Sequence, residues 1–181
     1  MSIKFNFINK NNDTKISSID EILLSKNNPR FTVINNLNAN LAEFVIQDTT
    51  SDLEMQKNIY YELLKNEGDL SDLVRLIKNF YQFNFINENE EILLVHNPDL
   101  DKFIVAEGNR RIMLLKIINN TFNFPSVDFF SPSLYENNTT EYISDYEYEE
   151  KIKEKIKNNY DEFKKILNLI KEKNMRDRKS I

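Results

Sequence analysis

The chain has 181 residues, of which 40% are hydrophobic and 29% are charged, which suits a globular domain with an appendage and argues against wholesale disorder. Cysteine is absent and histidine occurs once, which excludes disulfides, thiolate metal sites, cysteine nucleophiles and histidine-based metal clusters. The sequence contains no apolar run long enough to span a bilayer and no signal-peptide pattern, so we expect a cytoplasmic protein.

The formal net charge of −5 is unevenly distributed along the chain. Residues 151–181 contain 11 basic and 5 acidic residues, whereas residues 1–150 contain 13 basic and 24 acidic residues. An acidic body binds nucleic acid poorly, because neutralising phosphates requires a basic surface. The basic tail could provide that surface, and the alternative interpretation is a solvated, lysine-rich helix.

The predicted elements begin with two short apolar stretches, KFNFIN and IDEILL, within residues 1–24. Pro29 restricts the residue before it to extended backbone, so we interpret NNPR (27–30) as a loop that leaves an element. A helix is predicted over residues 51–66, and Gly68 is expected to stop it. The apolar positions at helical spacing are Leu53, Met55, Ile59, Tyr60, Leu63 and Leu64.

A second helix follows, with Asp69 or Ser71 as its expected N-cap. Residues 91–108 predict a β-hairpin, because the apolar runs ILLV and FIVA flank the turn-rich segment HNPDLDK. After Gly108, the segment NRRIMLLKIINN predicts a helix of about three turns with Asn109 as the N-cap and one apolar side.

The remainder of the chain predicts a connection with a short strand over residues 121–133, followed by a helical tail. Residues 136–150 contain six acids and no base, which indicates a linker. An amphipathic helix is predicted over residues 151–173. Its apolar stripe would pack on the body of the protein, against a partner helix or against a second copy in a homodimer. That stripe consists of Ile152, Ile156, Tyr160, Phe163, Leu167 and Ile170.

Helices and strands do not alternate as regular βαβ units, so the predicted fold class is α+β, with a small mixed sheet, flanking helices and a long C-terminal helix. We expect one domain over residues 1–135, an acidic linker over residues 136–150 and a basic helical tail over residues 151–181.

The strongest chemical signal is the segment FIVAEGNRR (103–111), where the predicted strand meets a helix. Gly108, one of only two glycines, permits a positive φ and close approach of a ligand. Backbone amides at a helix start bind anions, and Arg110 and Arg111 can clamp a phosphate. Each cation in a first helical turn is unfavourable by roughly 0.3–1 kcal/mol, so we expect an anionic ligand or Glu107 to offset them. Structural ion pairs are the alternative.

Four features share an order along the chain: NPR (28–30), a helix (70–83), a hairpin (92–106) and GNRR (108–111). This order resembles the N-terminal domain of ParB-type partition proteins, within the ParB/sulfiredoxin superfamily. The resemblance covers roughly residues 20–128, with an insertion at about 31–68. It implies a compact α+β fold that binds the phosphates of a nucleoside triphosphate. The residues that it implies for this role are Arg30, Gly108, Asn109, Arg110 and Arg111.

The chain also departs from that family's pattern. Asn109 stands where the ParB motif usually has Glu, and the acid instead precedes the glycine as Glu107. Related branches with an acid at that place include a free-serine kinase, so the resemblance implies that Glu107 acts as a base or a magnesium ligand. We find no downstream Glu-Asn-x-x-Arg stretch and no helix-turn-helix region. The sulfiredoxin cysteine is missing, which excludes that reductase chemistry.

These observations lead to three functional hypotheses. The first is a domain that binds CTP or ATP with Mg²⁺ and hydrolyses or transfers a phosphoryl group, in a DNA partition, mobile-element or defence context. The second is a non-enzymatic DNA-associated or protein-interaction module that uses the basic tail. The third is a nuclease, for which the sequence shows no convincing carboxylate cluster for two metals.

Overall fold

The computed structural model describes residues 5–11, 13–26, 51–83, 92–130 and 145–179, and these form the predicted α+β fold. The four strands are β1 (Phe5–Phe7), β2 (Ile22–Leu23), β3 (Ile92–Asn97) and β4 (Lys102–Glu107). The four α-helices of this part of the chain are α1 (Leu53–Lys65), α2 (Ser71–Gln82), α3 (Asn109–Ile118) and α4 (Asp145–Lys179).

The chain forms two compact units. The first comprises residues 1–63 and 85–123, and it contains the sheet and α3. The second comprises residues 64–84 and 124–181, and it contains α2 and α4.

The sheet of the first unit has the strand order β1-β3-β4-β2. Its centre is the antiparallel β3–β4 pair, which confirms the predicted hairpin. In its turn, the Asn97 side chain accepts hydrogen bonds from the N–H groups of Asp99 (3.0 Å) and Leu100 (3.3 Å). Both outer strands run parallel to their neighbours. Beyond the end of β1, the Asn9 side chain pairs with both backbone polar groups of His96, each at 2.8 Å.

Helix α3 lies deep in the first unit. All seven residues from 112 to 118 are buried, whereas the sequence predicted one apolar side. The reason is composition, because a helix that is apolar around most of its circumference has to be covered on several faces. The predicted length of about three turns is confirmed by the ten residues of Asn109–Ile118.

Lys116 is the one charged residue among those seven, and its side chain is only 3% exposed. Its Nζ donates to the carbonyl of Ile19, in the 3₁₀ turn before β2, at 3.3 Å. It also lies 5.8 Å from the ring centroid of Phe122. Burial lowers the pKa of Lys116 to about 8; Asp20 opposes this decrease and Lys102 adds to it.

The second unit is built on the packing of α2 against α4. Asp69 connects the two helices through both its side chain and its backbone. Its carboxylate accepts from the Ser71 N–H (3.0 Å) and contacts Lys155 Nζ at 2.7 Å. Its carbonyl accepts from Asn159 Nδ2 at 2.8 Å. The N-cap position itself is Leu70, with φ 70°, so of the two expected caps it is Asp69 that supplies the side-chain acceptor.

The predicted short strand is wrong for residues 121–130, which instead contain the 3₁₀ turn Val127–Phe130. Aromatic packing against the tail helix accounts for the difference. The Phe124 ring lies 5.4 Å from that of Tyr160 and 4.4 Å from that of Phe163. A compact turn allows these rings to meet, whereas a strand needs a neighbouring strand to satisfy its backbone.

Helix α4 begins at Asp145, so the last six residues of the predicted acidic linker are helical. The rest of that linker lies outside the described residues. Most of the predicted apolar stripe is buried in the second unit, namely Ile156, Phe163, Leu167 and Ile170. Across the described ranges, no helix has both the length and the apolar character that a membrane span requires.

Replacing Lys116 by Met should raise the free energy of unfolding at pH 7 by about 1–3 kcal/mol. In the folded state the pKa of Lys116 is about 8 instead of 10.5. The unfolded chain therefore binds more protons between these two pH values, and wild-type stability should rise over that range. The variant should lack this rise.

Urea unfolding at pH 7, 8, 9 and 10 measures the difference, with Lys57→Met as the matched change at an exposed position. The series stops at pH 10 because burial also raises the pKa of Tyr60, whose ionisation at higher pH would add a second effect. Parallel curves for the wild type and Lys116→Met would contradict the prediction.

Candidate phosphate-binding site

The candidate site lies where β4 ends and α3 begins. Glu107 is the last residue of β4 and pairs with Leu93 of β3. The strand that enters the turn is therefore fixed in the sheet up to its final residue. The side chain of Glu107 is exposed, and those of Arg110 and Arg111 are partly exposed.

Gly108 forms the turn and is the N-cap of α3, with φ 110° and ψ 22°. The positive φ agrees with the prediction for this glycine. The N-cap, however, is Gly108 and not Asn109 as predicted. A Cβ at Gly108 would lie 3.2 Å from Cγ1 and 3.3 Å from Cγ2 of Ile92, so backbone conformation and close packing both favour glycine here.

Asn109 occupies the first helical position, and its side chain points into the protein at 6% exposure. Its Oδ1 accepts from the Ser25 N–H at 3.0 Å, and its Nδ2 donates to the Ser25 carbonyl at 2.9 Å. Both polar atoms of the side chain are thus hydrogen-bonded to one backbone residue. This explains why Asn109 is not the cap: its side chain binds a different segment.

The neighbouring residue, Leu24, is held in the same way from the other helix of the first unit. Gln56 of α1 accepts from the Leu24 N–H at 2.8 Å and donates to the Leu24 carbonyl at 3.1 Å. Gln56 is 3% exposed. The two residues that follow β2 are therefore each held by one side-chain amide: Leu24 by Gln56 of α1, and Ser25 by Asn109 of α3.

The first turn of α3 has the donors that an anion requires. The Ile112 N–H donates to the Gly108 carbonyl at 3.0 Å. The N–H groups of residues 109–111 precede this bond and point towards the N-terminal end of the helix. N–H groups in this arrangement suit an anion, and Arg110 and Arg111 follow in the same turn of the helix.

Of the predicted site residues, Glu107 and the four residues of GNRR are consecutive and lie within the described residues, where the Asn109 side chain points away from the turn towards Ser25. Arg30 lies outside the described residues.

Among the described residues, no group of three or more His, Asp or Glu side chains could hold a metal ion. Mg²⁺ is often bound by one or two carboxylates together with the phosphates of a substrate. Glu107, exposed at the end of β4, is the carboxylate at this turn that such a mode would use.

Sequence reasoning missed Gln56 and Ser25. A signal for Gln56 was present, because it lies four residues before Tyr60 and eight before Leu64, on the buried side of α1. Leu53, which was predicted on that side, is 58% exposed. A polar residue within an apolar stripe marks a buried hydrogen bond, although the stripe alone does not identify its partner.

Comparison with known proteins does not extend these observations, since no protein-family model, no curated protein and no solved structure matches the chain.

Replacing Gly108 by Ala should lower the free energy of unfolding by about 1–3 kcal/mol, because alanine is strained at this φ. The added methyl group would also press against Ile92. Chemical denaturation measures this cost. In an Ile92→Ala background the contact disappears and only the backbone strain remains, so the same substitution should cost less; an equal or larger cost there would contradict the steric part.

Proposed function

We propose that the chain is a ParB/sulfiredoxin-like nucleotide-binding domain that binds the phosphates of CTP or ATP with Mg²⁺. The observation that carries this proposal is the turn from β4 to α3, in which a glycine of positive φ precedes two arginines in the first turn. In the proposal, Gly108, Arg110 and Arg111 contact the phosphates and Arg30 assists them. Asn109 contributes its backbone N–H, because its side chain is hydrogen-bonded to Ser25.

Electrostatics supports an anionic ligand at this turn. The N-terminal end of a helix carries a partial positive charge, so Arg110 and Arg111 are each unfavourable there by roughly 0.3–1 kcal/mol. A bound triphosphate is attracted both to the helix terminus and to the guanidinium groups, which offsets that repulsion, and it accepts hydrogen bonds from the same groups.

The chemistry that fits such a site is phosphoanhydride hydrolysis or phosphoryl transfer. These reactions depend mainly on positioning and charge stabilisation, which arginines and backbone amides supply. Glu107 is placed at the edge of the turn with an exposed carboxylate. In the proposal it acts as a base towards the attacking hydroxyl or as a ligand of the magnesium ion.

A DNA partition, mobile-element or defence context is part of the proposal. The second hypothesis, a DNA-associated module, depends on the charges of α4. Lys155 contacts Asp69 of the same unit, and Lys153 lies 3.9 Å from Glu150. In these contacts, part of the positive charge of the tail is paired with acidic residues of the same chain. That part is not available to DNA phosphates, so we place the nucleotide function first.

Calorimetric titration with CTP, ATP, GTP and UTP, each with and without Mg²⁺, tests the proposal. We expect saturable binding of one nucleotide. Arg110→Ala and Arg111→Ala should each weaken it about 10- to 100-fold, since each removes charge-assisted hydrogen bonds to phosphate.

Arg75→Ala is the matched control, because Arg75 is an exposed arginine of α2 that pairs with Asp72 at 3.3 Å. Its affinity should equal that of the wild type. Binding that is unchanged in both folded site variants, or weakened equally in all three, would refute the proposed site.

Glu107→Gln separates the two roles of the carboxylate. If Glu107 is a magnesium ligand, the variant should lose most of the Mg²⁺ dependence of binding. If it is a base, binding should be retained and turnover, measured as phosphate release, should fall by about 100-fold or more. Wild-type binding and turnover in this variant would exclude both roles.

A further inference from the structure

The geometry points to the side chain of Asn109 as a positioning group of the phosphate site, which holds the turn that carries Arg110 and Arg111 and does not itself contact the ligand. This inference rests on the proposed function. It concerns the one residue of the GNRR turn whose side chain is buried, and both of whose polar atoms bond to Ser25.

The first step of the argument is that two hydrogen bonds fix the Asn109 amide. A side chain that accepts from and donates to the same residue has its plane and its distance determined together. The start of α3 is thereby held against Ser25, two residues beyond the end of β2.

The second step is that this contact closes a ring of fixed elements. β2 pairs with β4 in parallel, with Ile22 opposite Phe103 and Leu23 opposite Ile104. β4 continues through Gly108 into α3, and the side chain of Asn109 is hydrogen-bonded to Ser25, which follows β2. The turn that carries the arginines is therefore held at both ends, as a preorganised binding site requires.

The third step is that the chain contains its own control. Gln56 makes the same pair of hydrogen bonds to Leu24, the residue next to Ser25, and is similarly buried. It belongs to α1 and not to the turn. A general loss of stability should follow from removing either amide, whereas loss of phosphate binding should follow only from removing Asn109.

The experiment compares Asn109→Leu with Gln56→Met in the full chain, since both changes replace an amide by an apolar group of similar size. Inorganic tripolyphosphate is the probe, titrated calorimetrically at a temperature where circular dichroism shows all variants folded. We expect Asn109→Leu to weaken binding about tenfold or more, and Gln56→Met to leave the affinity within about threefold. If the Leu and Met variants do not fold, Asn109→Ser and Gln56→Ser replace them.

A double-mutant cycle with Arg110→Ala identifies the route of the effect. If the Asn109 side chain positions the turn that carries Arg110, the loss of affinity in the double variant should be clearly smaller than the sum of the two single losses. Additive losses would mean that the Asn109 side chain acts independently of Arg110, and equal losses in the Asn109 and Gln56 variants would mean general destabilisation. Either result would overturn the inference. The proposed function would still stand, because it depends on binding by the wild type. Absence of wild-type binding to tripolyphosphate and to every nucleotide would overturn both.

Discussion

The first unit depends on side-chain amides that pair with both the N–H and the carbonyl of a single backbone residue. The three pairs are Asn9 with His96, Gln56 with Leu24, and Asn109 with Ser25. β2 has only two residues and β1 only three, so their own ladders are short. The amides continue the pairing beyond the strand ends, and at Leu24 and Ser25 they satisfy backbone groups that would otherwise be costly to bury.

This constraint also explains how a small sheet can define a precise turn. The hairpin fixes β4, β4 ends at Glu107, and the φ of 110° at Gly108 directs the chain into α3. The buried amide of Asn109 then holds the helix start. Charged groups that follow such a turn have a defined position without a large surrounding structure, and this is what phosphate recognition by arginine demands.

Local patterns in the sequence predicted the hairpin, the glycine turn and the helix after it, because apolar runs, turn residues and glycine act through nearby residues. Contacts between distant residues could not be predicted. The role of Asn109 depends on Ser25, 84 positions away, and the absence of a strand over residues 121–130 depends on rings of α4. On α1, Leu53 is the one predicted apolar position that is exposed. The burial of Gln56 was missed for the same reason, since it depends on hydrogen bonds to Leu24.

The three amides also bear on how the protein ages chemically. Hydrolysis of an asparagine or glutamine amide leaves a carboxylate, which accepts hydrogen bonds and donates none when it is ionised. At each of these pairs, that conversion would set a negative charge against a backbone carbonyl. Burial protects Gln56 and Asn109 from water, whereas Asn9 is exposed. Deamidation damage to the sheet would thus begin at β1, far along the chain from the turn that carries the arginines.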